Sequence, residues 1–324
     1  MLRTFCFLIF ISIAPYCFAQ IKWQNVDSLY QPLPNSVHVY YTDQPVDTSA
    51  FRAFYVIADL KDRSLDFTTD TTLNRRLKPS QFFSKNDAAL VVVNGTFFSF
   101  ETNRNLNVVI KDGKTVSFDT HLRKLRGKDS LLYAKYLTSA IGITKSRNAD
   151  VAWIYNDSGM KRPIAFESSP ALIRDSINQV SEKDFMKGPQ HSDPNKQKDI
   201  SDRWKMETAI GGGPVLVHDG KIRITNDEEL KFAGKAINDK HPRTAMGYTK
   251  DNKLIILVVE GRNKQAGGAT LIQEAEILKD LGCVEALNLD GGGSSCLLIN
   301  GKETIKPSDA SQRPVPAVFL IKKK

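Results

Sequence analysis

Short apolar runs separated by turn residues recur along the chain, and this pattern is typical of β-strands. Residues 37–41 alternate between apolar and polar side chains, and residues 51–60 and 64–69 continue the β pattern. Residues 88–93 are continuously apolar and rich in valine, which predicts a strand buried on both faces. We expect β-structure from residue 37 onward, after an irregular lead-in at residues 20–36.

Four pairs of turn residues mark tight hairpins between apolar runs. They are Asp112-Gly113, Asp219-Gly220, Asp251-Asn252 and Asn300-Gly301. Asx-Gly pairs supply the positive φ angles that two-residue hairpin loops need. So many hairpins predict a large and mostly antiparallel β-sheet system.

Two segments have the pattern of helices. Residues 79–85 begin with a proline in the first turn. Residues 270–281 are amphipathic, with Thr270 as N-cap and Gln273 completing a capping box. Residues 254–289 therefore form a strand-helix-strand unit, which normally joins parallel strands. The predicted fold class is α+β: a large mixed, mostly antiparallel β-sheet system with a few helices and one strand-helix-strand crossover near the C-terminus.

Composition and charge exclude several classes of protein. The chain has 324 residues, of which 41% are hydrophobic and 25% charged, as in an ordinary globular protein. The net charge of +9 is dispersed. Without a basic stripe with aromatics, a zinc knuckle or a helix-turn-helix pattern, we expect no nucleic-acid partner. The basic charge suits an anionic lipid surface or a phosphorylated substrate.

The first residues have the pattern of a signal peptide. A short apolar run at residues 5–13 follows a positive start, and Ala19 is a small residue at the expected cleavage site. We expect cleavage after residue 19, export to the periplasm or the medium, and no integral membrane segment afterwards. Cleavage leaves Cys283 and Cys296. Their offset in a hairpin exceeds the reach of a disulfide, so we expect two buried free thiols.

The remaining chain is predicted to form one domain with an insertion. Residues 20–87 supply the lead-in and β-strands packed on a main domain at residues 88–324. The stretch 175–206 is polar and contains Gly-Pro and Asp-Pro turns. We expect it to be an insertion at the surface, which either has no functional role or forms the rim of a site.

Three apolar strands end in a polar residue followed by glycine. These polar residues are Asn94, Glu260 and Asp290, and a further glycine stretch at residues 211–213 precedes another strand. If the last two strands are parallel, Glu260 and Asp290 lie at the same sheet edge, where ligands bind. The pattern predicts one polar cleft in which two carboxylates serve as acid and base, or as nucleophile and base.

The turn Gly291–Ser295 and two arginines suggest a site that binds an anion. Free N–H groups in a glycine turn form a nest for an anionic oxygen, and the two serines add hydroxyl donors. Arg243 and Arg262 lie near the same edges, and their planar guanidinium groups suit phosphate oxygens. His241 is a loop histidine that is either structural or in contact with substrate. Both carboxylates also have a possible structural role in place of a catalytic one. Asp290 could cap its turn, and Glu260 could pair with an arginine.

Several enzyme signatures are missing. The chain has no Gly-x-Ser-x-Gly elbow, no Walker loop and no His-Glu-x-x-His helix. Asp290 and Asn288 offer oxygen ligands for calcium, but no dense acidic loop supports such a site. We therefore predict neither a metal site nor a cofactor.

Five strings stand out along residues 88–321: Asn94–Phe98, Gly211–Val217, Arg243–Gly247, Val259–Arg262 and Ala286–Ser295, followed by an ending at Arg313–Pro316. In this order they resemble the phosphodiester glycosidase family. The chain departs from the family in two places: Glu260 stands where the family often has aspartate, and Gly95-Thr96 where it often has Gly-Gly or Ala-Gly. Either change affects substrate choice.

The resemblance implies a hydrolase that cleaves a sugar-1-phosphodiester at the anomeric carbon, without a cofactor. It implies a carboxylate role for Asp290 first and Glu260 second, phosphate binding by Arg243, Arg262 and the glycine turn, and a sugar side shaped by Asn94 and the glycines near residue 212. The expected substrate-binding residues are Asn94, Gly95, Thr96, Gly212, Gly213, His241, Arg243, Thr244, Arg262, Gly291, Gly292, Gly293, Ser294 and Ser295.

Two other functions remain open at this point. One is a non-catalytic exported protein that binds phosphorylated or anionic cell-envelope glycans through the same cleft. The other is a metal-dependent phosphodiesterase, which would break the P–O bond and lose activity with a chelator.

Overall fold

The computed structural model describes residues 21–87, 89–119, 122–124, 133–135, 137–156, 159–167, 173–174 and 202–324. The predicted signal peptide at residues 1–19 lies outside them. The strands are β1 (Gln24–Asn25), β2 (Val37–Thr42), β3 (Ala53–Asp59), β4 (Leu65–Thr71), β5 (Ala89–Asn94), β6 (Val109–Lys111), β7 (Lys114–Ser117), β8 (Leu122–Lys124), β9 (Tyr133–Lys135), β10 (Thr138–Ile143), β11 (Ala149–Tyr155), β12 (Ile164–Phe166), β13 (Ile173–Arg174), β14 (Asp202–Arg203), β15 (Thr208–Gly211), β16 (Val215–His218), β17 (Lys221–Ile222), β18 (Arg243–Thr249), β19 (Lys253–Val259), β20 (Cys283–Asn288), β21 (Leu297–Ile299), β22 (Lys302–Glu303) and β23 (Ala317–Lys323).

The helical segments of the described residues are short. They are the α-helices α1 (Pro79–Lys85) and α2 (Leu271–Asp280), and the 3-10 turns Asp27–Leu29, Gly234–Ile237 and Gly292–Ser294. Among the described residues, no helix is long and apolar enough to cross a lipid bilayer.

The strands within the described part of the chain form four sheets. The largest has the order β1-β2-β3-β19-β18-β20-β16-β17, the second β14-β12-β11-β10-β15-β6-β7, the third β22-β21-β5-β23-β4, and the smallest β13-β9-β8. Neighbouring strands in these sheets pair antiparallel. The predicted fold class, a mostly antiparallel β system with few helices, is confirmed.

The core lies between the three large sheets. One apolar cluster joins Met246 and Ile256 of the eight-stranded sheet to Trp153 of the seven-stranded sheet and Val91 of the five-stranded sheet. Helix α2 covers the opposite face of the eight-stranded sheet, and α1 packs against the five-stranded sheet. Strands from before residue 87 pair directly into these sheets, because β3 pairs with β19 and β4 with β23.

All four predicted hairpins are present. Asp112-Gly113 joins β6 to β7, Asp219-Gly220 joins β16 to β17, and Asn300-Gly301 joins β21 to β22, each with both residues at positive φ. Asn252, also at positive φ, lies in the loop between β18 and β19. The local turn chemistry therefore sets the strand pairing at these four places.

The predicted helix and crossover are confirmed. Thr270 caps α2, and its hydroxyl accepts from the N–H of Gln273 while the Gln273 side chain bonds back to Thr270 N. Strand β18 lies between β19 and β20 and is antiparallel to both, so β19 and β20 run parallel. The crossover thus passes over one intervening strand of the sheet.

The predicted polar insertion extends less far than expected. Its first part, residues 175–201, lies outside the described residues. Its last residues belong to the β-structure, because β14 pairs with β12 and the side chains of Trp204 and Met206 are buried in an apolar cluster. The two cysteines, Cys283 and Cys296, are buried free thiols, as predicted.

Candidate active site

The Asp290 turn lies where the chain passes from the eight-stranded sheet to the five-stranded sheet. The turn begins after β20, forms the 3-10 segment Gly292–Ser294, and enters β21. The N–H of Asp290 donates to Gly95 O at 3.0 Å, and the side-chain amide of Asn94 donates to Asp290 O. The end of β5, the middle strand of the five-stranded sheet, therefore fixes the backbone of Asp290.

Asn94 and Thr244 connect this turn to both sheets. The side-chain oxygen of Asn94 accepts from the Thr244 hydroxyl at 2.9 Å and from Cys296 N at 3.0 Å. The Thr244 hydroxyl also lies 3.1 Å from the Ser295 hydroxyl. Because Asn94 and Thr244 are fully buried, they support the turn from beneath and do not line an open surface.

Two positions of the turn require glycine for steric reasons. Gly292 has a φ of +62°, a conformation that side chains rarely adopt. At Gly293 a Cβ would overlap the guanidinium of Arg313 and the carboxylate of Asp309. The glycine run thus lets a cation lie directly against the backbone beside Asp290.

A cleft of about 400 Å³ opens above this turn, within the range of about 300–1,000 Å³ that is usual for small-molecule sites. Of the predicted site residues it brings together Asp290, two arginines, the histidine and three glycines. The lining residues are Phe97, Phe100, Phe232, His241, Arg243, Arg262, Asn288, Asp290, Gly291, Gly292, Gly293 and Arg313.

Asp290 is the only carboxylate among the described residues that line the cleft. Burial raises the pKa of Asp290 to about 7, although a hydrogen bond with Ser294, the charge of Arg313 and the N–H of Gly291 all lower it. Burial prevails because it removes water from the charged form. At neutral pH both the protonated and the ionised form of this carboxyl group are therefore populated.

Three arginines give the cleft a positive wall, and a histidine lies among them. Arg243 is 3% exposed and donates through Nε to Ala269 O at 2.9 Å, which fixes its guanidinium. Arg262 is exposed, and its Nη2 lies 3.4 Å from His241 Nδ1. Burial, and then the charges of Arg243 and Arg262, lower the pKa of His241, so this histidine is neutral at neutral pH. Asp309 pairs with Arg313 at 2.6 Å, so Asp309 and Asp290 together offset two of the three arginine charges and the wall keeps a net positive charge.

Aromatic side chains also line the cleft, next to the arginines, and sequence patterns did not assign them to the site. Phe97 and Phe232 meet edge to face with ring centroids 6.0 Å apart. Phe100 is 63% exposed, and the Arg313 guanidinium lies 5.5 Å from its ring centroid. The strings that carried the family resemblance included Phe97 and Arg313, so they were the available signal for these two residues. Phe100 and Phe232 had no such signal.

Glu260, the second predicted carboxylate, does not line the cleft. It is 1% exposed, and its two oxygens accept from Asn263 Nδ2 at 3.0 Å and from Lys306 N at 3.0 Å. Its nearest cation is Arg52, at 3.7 Å. The alternative role of pairing with an arginine is met by Arg52 and not by Arg243 or Arg262, because these contacts turn Glu260 toward the loop at Lys306.

The N–H groups of the glycine turn are largely used within the protein. Gly292 N donates to Pro242 O, and the next two N–H groups after Gly293 donate to carbonyl oxygens of the turn itself. Gly291 N–H bonds with the Asp290 carboxyl group. These residues therefore do not form the expected nest of free donors, because the 3-10 turn closes on itself. The predicted residues that lie behind the cleft lining are Asn94, Gly95, Thr96, Gly212, Gly213, Thr244, Ser294 and Ser295.

Asn288 lines the floor of the cleft beside Asp290. Its amide nitrogen donates to Gly213 O at 3.0 Å and to Leu289 O at 2.7 Å. At Gly212 a Cβ would overlap Asn288 O, so the glycine stretch allows the close approach of these two segments. The contribution of residues 211–213 to the site is thus to hold Asn288 in place.

One group of described residues brings several metal-binding atoms together, and it lies elsewhere. His218, Asp219 and Glu285 have ligand atoms within 4.8 Å of one another. Glu285 already accepts hydrogen bonds from Tyr248 and from Val151 N. None of these residues lines the cleft.

Comparison with known proteins shows that part of the chain resembles one family. Residues 187–322 match the phosphodiester glycosidase family. The chain is 39% identical over 85 residues to the uncharacterized SPbeta prophage-derived protein YomE of Bacillus subtilis (strain 168), covering 26% of this chain and 13% of that protein. It is 33% identical over 104 residues to N-acetylglucosamine-1-phosphodiester alpha-N-acetylglucosaminidase of Mus musculus, covering 32% of this chain and 20% of the enzyme.

The fold is also similar to a solved structure. The catalytic domain of the zebrafish N-acetylglucosamine-1-phosphodiester alpha-N-acetylglucosaminidase matches 94% of this chain and 88% of its own length, with a TM-score of 0.58 and 22% identity. The chain matches only 13% and 20% of the length of the two curated relatives above. The resemblance to the phosphodiester glycosidase family is confirmed, and the structural likeness shows the fold.

The raised pKa of Asp290 predicts how stability depends on pH. Between pH ~4 and ~7 the folded protein holds a proton on Asp290 that the unfolded chain has lost, so the free energy of unfolding falls as pH rises through this window. Asp290→Asn removes this loss. The free energy of unfolding of Asp290→Asn, measured by urea unfolding, should therefore exceed that of wild type. This difference should increase from pH 5 to pH 8, to at most about 4 kcal/mol.

Asp280→Asn controls for the change of net charge, because Asp280 is exposed at the end of α2. A difference between Asp290→Asn and wild type that is the same at pH 5 and pH 8 would contradict the raised pKa.

Proposed function

From the match to the phosphodiester glycosidase family, we propose that this protein hydrolyses a sugar-1-phosphodiester at the anomeric carbon and releases sugar and a phosphomonoester. The observation that carries the proposal is the pairing of Asp290, with a pKa near 7, with a wall of arginines in one cleft. The reaction needs both groups: a carboxyl group for the carbon and cations for the phosphate.

The arginines bind the phosphate. A phosphodiester carries one negative charge, and guanidinium groups match its oxygens with paired N–H donors. Arg262 and Arg313 reach the cleft from opposite sides of the glycine turn, since Gly292 packs against one and Gly293 against the other. Arg243 adds a fixed charge from beneath. As the bond to the sugar breaks, these cations stabilise the charge that develops on the departing phosphate.

The aromatic wall accommodates the sugar and excludes water. Phe97 and Phe232 present apolar surface in the same cleft as the cations. Ligand sites commonly combine such surface with a few polar groups that set the orientation. We place the sugar ring between this wall and Asp290, so that its anomeric carbon faces the carboxyl group and its phosphate faces the arginines.

Asp290 activates the attacking water. In its ionised form the carboxylate takes a proton from water while the water oxygen bonds to the anomeric carbon. The bond between that carbon and the phosphate oxygen breaks, and its electron pair leaves with the phosphate. A phosphomonoester is a good leaving group and needs little help from an acid, so one carboxylate suffices. No second carboxylate is found among the described residues that line the cleft.

We propose that the protein acts after export to the periplasm or the medium. The support is the signal-peptide pattern of residues 1–19. N-terminal sequencing of the protein from the periplasm or medium of a Gram-negative host should give a chain that begins at Gln20. A chain retained in the cytoplasm with its first residues intact would contradict export.

The two carboxylates that the sequence proposed should behave differently when replaced. Asp290→Asn should lower kcat for a sugar-1-phosphodiester by about 10²- to 10⁴-fold, the usual contribution of general base catalysis. Glu260→Gln is the matched control, since Glu260 bonds to Asn263 and Lys306 outside the cleft lining. It should change kcat/KM by less than about tenfold.

Both variants are compared with wild type at equal folded fraction, judged by thermal unfolding. Release of phosphomonoester from sugar-1-phosphodiesters gives the rates. Full activity in Asp290→Asn, or equal losses in the two variants, would refute the role of Asp290. Binding without turnover in the wild type would favour the non-catalytic glycan binder.

A further inference from the structure

The floor of the cleft contains a hydrogen-bond acceptor that the protein leaves unused. Asn288 Oδ1 is buried and has no hydrogen-bond partner among the described residues. The whole residue is 1% exposed, yet it lines the cleft next to Asp290. Buried acceptors are nearly always paired in folded proteins, so an unpaired one at a ligand site indicates a partner that the ligand supplies.

The orientation of this amide follows from its neighbours. Asn288 Nδ2 faces two carbonyl oxygens, those of Gly213 and Leu289. A flipped amide would place Oδ1 against both of these acceptors and lose two hydrogen bonds. The nitrogen is therefore on the protein side, and the oxygen is the atom left for a ligand.

The backbone of Asn288 is equally fixed. Its N–H donates to Pro214 O at 3.0 Å, and its carbonyl oxygen accepts from Gly213 N at 2.7 Å. With the side chain also bonded to Gly213 O, the residue is held at three points by one glycine-proline segment. An acceptor that is held so rigidly is pre-organised to select a donor at one position of a ligand.

The chemistry of the acceptor decides which half of the substrate it meets. An ionised phosphodiester has oxygens that accept and no hydrogen to donate, so Asn288 Oδ1 would repel it. Sugar hydroxyl groups and the N–H of an acetamido group are donors. Asp290, two residues after Asn288, also lines the cleft, whereas the arginines of the lining supply the donors that a phosphate needs.

We propose that Asn288 Oδ1 accepts a hydrogen bond from one ring O–H or acetamido N–H of the sugar. This bond selects the sugar and sets the orientation of the substrate in the cleft. This rests on the proposed function for the identity of the ligand. The sugar lies over Asn288 and Asp290 at the floor, and the phosphate points to Arg262 and Arg313. Substrates without a donor at this position bind poorly.

The test uses binding, so that it does not depend on turnover. Non-hydrolysable 1-C-phosphonate monoesters of glucose and N-acetylglucosamine are titrated into the full chain by calorimetry. In each series one ring hydroxyl at a time is replaced by fluorine, and in the second sugar the acetamido group is also replaced by its N-methyl derivative. Each replacement removes a donor and leaves the rest of the sugar in place.

One replacement should raise the Kd of wild type by about tenfold or more. In Asn288→Ala and Asn288→Ser, the parent compound should bind as weakly as that analogue, and the ratio of the two Kd values should fall to about one. Asn107→Ala is the matched control, because Asn107 is also buried, donates to Gly212 O, and lies outside the cleft lining. It should keep the ratio seen in wild type.

Equal binding of all analogues by wild type, or an unchanged ratio in the Asn288 variants, overturns the proposal. If neither Asn288 variant folds, the wild-type series decides alone: one sensitive donor supports the proposal, and none refutes it. If the parent compound does not bind at all, the proposal is also refuted. Selective binding without hydrolysis of the matching phosphodiesters would instead contradict the proposed reaction and leave the role of Asn288 supported.

Discussion

Both backbone polar groups of Asp290 are bonded to the end of strand β5, and the candidate site depends on this attachment. Its N–H reaches Gly95 O, and its carbonyl oxygen accepts from Asn94. Asp290 follows a strand of one sheet and is held by a strand of another, so its position is set by the packing of the two sheets and not by the turn alone. The attachment holds the carboxyl group at a place where burial raises its pKa.

The cleft combines groups with opposite electrostatic preferences. Burial favours the neutral form of Asp290, whereas Arg313 and the hydrogen bond with Ser294 favour the charged form. An anionic substrate adds negative charge beside the carboxylate, and the arginines offset it. Such competition between burial and charge is how enzymes bring an aspartate pKa close to working pH. Arg313, which we propose binds the phosphate, thus also keeps Asp290 able to ionise.

Local signals in the sequence predicted much of the fold. The Asx-Gly pairs predicted hairpins correctly, because such a turn depends only on the positive φ angles of two adjacent residues. The N-cap at Thr270 likewise marked the start of α2. The strand-helix-strand pattern gave the parallel direction of β19 and β20. The intervening β18 did not follow from that pattern, because pairing across the sheet depends on packing between distant segments.

The site was predicted in part, for the same reason. Asp290, Arg243 and Arg262 came from strand ends and do meet in the cleft. Glu260 has an equivalent position in sequence, but its partner Lys306 comes from a loop 46 residues later and turns it away. The wall that includes Phe232 could not be inferred either, since an aromatic residue in a loop gives no sign of whether it faces a ligand or the core.

Hydrolysis in ¹⁸O-labelled water tests the central claim most directly, because the position of the label shows which bond breaks. Attack of water activated by Asp290 on the anomeric carbon places the heavy oxygen in the released sugar and none in the phosphomonoester. Mass spectrometry of both products gives the answer from one incubation. Label in the phosphomonoester would mean attack at phosphorus, and would contradict both the assigned role of Asp290 and the glycosidase reaction.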